Sequence, residues 1–118
     1  MTELVALLST GKGSWGHVAR LIADGTWEKV VLITNDFGKE KFNNEKNAEM
    51  IVVDSRKPML EFVSDMKNAL EGKVKGPEVA VNFISGDGKE HMALISALLQ
   101  LGLGIRLVAL TQEGVKEV

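Results

Sequence analysis

Two glycine-rich turns that each carry a lysine are the places in this chain where chemistry could be done. The first is Ser9-Thr10-Gly11-Lys12-Gly13-Ser14 and the second is Ser85-Gly86-Asp87-Gly88-Lys89. Glycines let backbone N–H groups come close to a ligand, and a helix opening behind such a turn points its positive end the same way, so both turns suit an anion. Lys12 and Lys89 add full positive charge, while Ser9, Thr10, Ser14 and Ser85 offer hydroxyls to phosphate or ribose. His17 and His91 are the only imidazoles, hence the only side chains that titrate near neutrality unaided. His91, beside the second turn, joins Lys12 and Lys89 as a candidate catalytic residue. Spacing alone gives neither histidine a general-base geometry, and each also fits an exposed helix position.

Other readings of the same residues stay open. Gly11-x-Gly13-x-x-Gly16 matches the dinucleotide fingerprint, with Asp36 about 20 residues further on where a ribose-binding acid belongs, so an NAD(P)-type module is an alternative. Against it, Asp36 lies past the polar pair Thr34-Asn35, the chain leaves no room for a separate substrate domain, and Lys12 favours generic phosphate binding. A structural or partner-binding domain, whose glycines serve only tight turns and close packing, is a further alternative. Neither turn is a Walker A loop, since Ala6 and Phe83 stand where the first glycine would be.

Composition excludes more. With no cysteine there is no disulfide, thiolate nucleophile or Cys-ligated metal, and Asp87, Glu90 and His91 alone are too few to hold zinc, so no metal and no cofactor is expected. Fourteen Lys and Arg against sixteen Asp and Glu give a charge of -2, which argues against a duplex-DNA binder. The longest apolar stretch, Met92 to Leu101, is broken by Ser96 and Gln100 and falls short of the roughly 20 residues of a membrane span. Glu3 near the start does not suit a signal peptide, so a cytoplasmic location is expected. Trp15 and Trp27 read as packing residues, although Trp15 lies close enough to the first turn to cover a base.

The elements that must position these turns follow from hydrophobic period. Aliphatic runs Leu4–Leu8, Lys29–Thr34, Met50–Val53, Glu78–Ile84 and Ile105–Leu110 read as buried strands. Between them, Trp15, Val18, Ala19 and Ile22 recur at helical spacing before Gly25, and Met59, Phe62, Val63, Met66 and Leu70 do so after Pro58. A further helix runs from the second turn to about Leu101. Asn35 to Glu49 reads as a loop with one short helix, and Thr111 to Val118 has room to turn at Gly114 and return as a short edge strand. Alternating strands and helices predict one α/β domain over residues 1–118: a small, doubly wound, Rossmann-like three-layer sandwich with a five-stranded parallel sheet and that short C-terminal edge strand. Ligands then belong at the strand carboxyl ends, where Lys12, Lys39, Lys41, Arg56, Lys57 and Lys89 make a cationic rim.

The stretch Asn82-Phe83-Ile84-Ser85-Gly86-Asp87-Gly88-Lys89-Glu90-His91-Met92-Ala93-Leu94 resembles the segment after the fourth strand of CARF domains, the CRISPR-associated Rossmann-like sensors of cyclic oligoadenylate. There an Asn or Asp precedes a Ser or Thr, a Gly-rich turn, and a Lys or Arg opening an Ala/Leu-rich helix. The first turn is similar to their ligand-binding loop after strand one. The resemblance implies a role in antiviral defence and a homodimer that surrounds one cyclic oligonucleotide, with Ser9, Thr10, Gly11, Gly13, Ser14, Ser85, Gly86 and Gly88 as ligand-binding residues. It also implies metal-independent ring-nuclease activity as an option, in which a ribose 2′-OH is aligned with its phosphorus while Lys12 or Lys89 stabilises the developing charge. The helix Met92–Leu101, apolar nearly all round, independently asks for a second cover, either a partner subunit or the C-terminal segment of the same chain.

Overall fold

The computed structural model describes residues 2–9 and 12–118. Thr10 and Gly11, both expected ligand-binding residues, and the side chain of Lys12 lie outside the described residues. Strand β1 (Glu3–Leu8) leads through a single 3-10 turn (Lys12–Ser14) into helix α1 (Trp15–Asp24). Strand β2 (Lys29–Thr34), the short helix α2 (Asp36–Lys41) and strand β3 (Glu49–Val52) follow. Helix α3 (Met59–Leu70), strand β4 (Glu78–Asn82) and helix α4 (Gly88–Gln100) come next, before a hairpin of β5 (Gly104–Thr111) and β6 (Gly114–Glu117).

The sheet has six strands in the order β3-β2-β1-β4-β5-β6. The first five run parallel, and β6 returns antiparallel to β5, with Thr111 opposite Gly114. Gly114 has φ of +100°, a value glycine adopts without a Cβ clash, and this lets the chain reverse in so few residues. The α/β Rossmann-like expectation therefore holds, with the edge strand completing a sheet of six strands rather than five.

Every residue of β1 is buried, because the central strand is covered on both faces. Leu4, Ala6 and Leu8 point to the layer made by Trp15, Val18, Leu21 and Ile22 of α1. Val5 and Leu7 point to the opposite layer, where Phe62 and Met66 of α3 and Leu94 and Leu98 of α4 close the core. Period-two alternation in the strand thus meets period-3.6 stripes in the helices on each side. Winding reverses between β1 and β4, so the carboxyl ends of these two strands are the switch point at which sheets of this kind form their ligand crevice.

Candidate functional site

At that crevice the two turns singled out from the sequence meet. The backbone N–H of Ser9, after β1, donates to Ser85 Oγ at 2.9 Å, and Ser9 Oγ donates to Glu90 Oε1 at 2.8 Å. Segments some 80 residues apart in the chain are therefore bonded side chain to backbone and side chain to side chain. Ser9, Ser85 and Glu90 are all buried, Glu90 to 5% exposure. The carboxylate is satisfied there by a second donor, the N–H of Asp87 at 3.1 Å, while Asp87 Oδ1 accepts from the Glu90 N–H at 2.9 Å. This reciprocal pair is a capping box, and it closes the first turn of α4.

The box changes what the second turn offers an anion. Two carboxylates now stand at the start of α4, and part of its donor set is already used. The first turn differs: neither the 3-10 turn (Lys12–Ser14) nor the opening turn of α1 holds an acidic residue, so no carboxylate competes with an anion there. Gly13 and Gly88 would each accept a Cβ without touching a neighbour, whereas Gly86, at φ +99°, faces Glu90, His91 and Leu7 side chains. Gly86 is thus the glycine this turn requires.

Lys89 does not face the crevice as a free cation. Its ammonium donates to the carbonyl oxygens of Ser55 and Lys57 at 2.7 and 2.6 Å and lies 5.6 Å from the centroid of Phe62. These contacts tie α4 to the loop between β3 and α3, which gives Lys89 a bracing duty in place of the phosphate contact expected from its position. Most of the remaining rim is neutralised by neighbours: Arg56 is paired with Asp54, Lys57 with Asp65 and Glu61, and Lys41 with Glu40. The hydrogen bond from Arg56 holds Asp54 below the usual carboxylate range, and the one to Asp65 raises Lys57.

Both histidines are engaged. His91 Nε2 lies 3.0 Å from the carbonyl oxygen of Ser85; a carbonyl only accepts, so this nitrogen carries hydrogen, and in the neutral ring Nδ1 is the atom able to take a proton. Its ring packs against Phe83 at 5.2 Å. His17 serves the sheet instead: β5 continues past the end of β4, and its Leu110 N–H, on the side where β4 has already ended, donates to His17 Nε2 at 3.2 Å. Asn82 does the same for the Val108 carbonyl at 2.9 Å, and its Oδ1 accepts from Ile84 N–H, which ends β4 at Asn82 rather than at Ile84. Trp15 is a packing residue whose Nε1 donates to the Ser9 carbonyl at 3.1 Å, fixing the exit of β1.

Among the described residues no group of three or more His, Asp or Glu is placed to hold a metal ion, and no helix is long and apolar enough to cross a membrane. A scan of protein-family models and searches of curated proteins and solved structures returned no match. Function therefore has to be argued from the site itself.

Proposed function

We propose that this chain is a homodimeric binder of a cyclic oligoadenylate, seated where the loops after β1 and β4 meet. The observation that carries this reading is the pair of bonds from Ser9 to Ser85 and Glu90, which brings both glycine turns to one side of the switch point. Phosphate binding falls to the first turn and the amino end of α1, with Lys12 as the cation. The second turn supplies shape through Ser85 and Gly86. A partner is favoured by α4, whose outer side exposes Met92, Ile95 and Leu99 (63%, 37% and 60%) and carries no charged residue from Met92 to Gln100.

Ring cleavage at this seat would have the 2′-oxygen attack the adjacent phosphorus as the P–O5′ bond breaks, leaving a 2′,3′-cyclic phosphate. The 2′-OH gives up a proton to a base and the departing O5′ gains one; His91 Nδ1 is the candidate acceptor. Thermal unfolding with cyclic oligoadenylates, linear oligoadenylates and NAD, with chromatography of the products, tests both parts. The expected outcome is a melting point raised by a cyclic ligand, one ligand per two chains, abolished by Lys12→Ala and retained by Lys89→Met below its own unfolding range. Leu99→Lys should yield monomers with weakened binding. A flat response to every cyclic ligand removes the proposal, and a response to NAD that depends on Gly13 and Asp36 replaces it with the dinucleotide reading.

A further inference from the structure

Beside the crevice, above the carboxyl ends of β2 and β3, lies an open groove of about 790 Å³, within the size range of small-molecule sites. Phe37, in the first turn of α2, lines it, and at 52% exposure this is the one aromatic ring among the exposed large apolar side chains of the described residues. An aromatic face left to water is informative only when the surroundings hold it there. Here they do: Trp15 backs the Phe37 ring at 5.8 Å, Phe42 packs on Trp15 at 6.2 Å, and Trp15 is itself bonded to the Ser9 carbonyl. The platform is therefore tied to the same loop that forms the crevice.

A second flat surface lines the groove. The Arg56 side chain is 89% exposed, yet its guanidinium is fixed by two bonds to Asp54, from Nε at 2.9 Å and from the terminal nitrogen at 3.2 Å. A planar cation held in this way stacks on π-systems. Phosphate is a poor occupant, because Asp36, Asp54 and Asp65 on the lining outnumber Arg56 and Lys57. What matches a ring face, a guanidinium plane, carboxylate acceptors and the amide of Asn68 is a neutral, flat group with polar edges.

We infer that this groove is a nucleobase subsite in which Phe37 is the stacking platform and Arg56 the second face. The inference rests on the nucleotide reading of the crevice above. β1 and β3 are separated by two strand spacings, about 10 Å, so a nucleotide with its phosphate at the first turn can place its base in the groove.

Calorimetric titration of the full chain with adenosine 5′-monophosphate, ribose 5-phosphate and a cyclic oligoadenylate tests this, using wild type, Phe37→Leu and Phe37→Tyr. Leucine keeps apolar bulk against Trp15 without a π-face, and circular dichroism with thermal unfolding verifies that each variant is folded. The monophosphate should bind wild type about 10-fold or more tighter than ribose 5-phosphate, in keeping with base–aromatic stacking. Phe37→Leu should erase that preference and Phe37→Tyr should keep it. Equal binding of the two probes, or a monophosphate affinity unchanged in Phe37→Leu, overturns the subsite. Cyclic ligand bound alike by wild type and Phe37→Leu overturns the subsite and leaves the cyclic-ligand reading standing. Phe37-dependent monophosphate binding without cyclic-ligand binding does the reverse, and no binding of any nucleotide removes both.

Discussion

Lys89 carries its charge to two main-chain oxygens, and the consequence for mutagenesis differs from that of a phosphate ligand. Lys89→Met keeps an unbranched side chain of similar length at this position but removes the ammonium, leaving the Ser55 and Lys57 carbonyls without their donor. Losing charge-assisted bonds at a half-buried site costs about 1–3 kcal/mol, so urea unfolding should shift by that amount and hydrogen exchange should quicken in residues 54–57. Unchanged stability would contradict the bracing role. Position in a turn could not show this, because the acceptors lie on a loop more than 30 residues away in sequence. Glu90 shows the converse. Asp87 followed three residues later by Glu90 has the spacing of a capping box, so its place at the start of α4 was open to sequence reasoning. Its burial under Ser9 was not, since that depends on how the β1 and β4 loops come together.

At the level of elements, strands were legible because those buried on both faces are continuous aliphatic runs, and helices because their apolar positions recur at 3.6. β2 spans Lys29–Thr34, just as read from sequence. Ends were less legible where side chains replace strand partners, as Asn82 and His17 do for the overhanging part of β5. Helix α2 is held by contacts that period alone does not reveal. Asn35 Oδ1 caps it by accepting from Gly38 N–H at 2.8 Å, and Gly38 sits against Thr34 and the carbonyl oxygen of Leu8. A Cβ at Gly38 would collide with Thr34 Oγ1 and lie 3.0 Å from that oxygen, while Thr34 is itself bonded to Leu8 at 2.5 Å. Gly38→Ala should therefore destabilise by about 1–3 kcal/mol, the usual cost of overpacking, despite alanine's better helix propensity. A stabilised variant in denaturant titration would show that α2 is free to move off the sheet.

Across the whole molecule, ion pairs fasten the sheet's edges, and their pH dependence follows from the carboxylates involved. Glu49, opening β3, has its pKa lowered by its hydrogen bond to Lys73 at 2.7 Å, with Lys29 adding attraction at 3.4 Å. Glu117 on β6 is lowered by its hydrogen bond to Arg106 of β5, and Asp54 by that to Arg56. Each folded value lies below the ordinary one, 4.5 for the glutamates and 3.8 for the aspartate, so each group stabilises the fold above its unfolded pKa. That contribution disappears as pH falls through the depressed folded value. Because these pairs are exposed, the effect is modest and screened by salt. Urea unfolding of wild type and of the Glu49→Gln, Asp54→Asn, Glu117→Gln triple variant in low salt should show the variant weaker at pH 7, with the difference closing below pH 4.5 and shrinking when salt is added. A difference that stays constant down to pH 3 would mean these side chains act through packing and not through charge, and β6 would then be held to β5 by the hairpin alone.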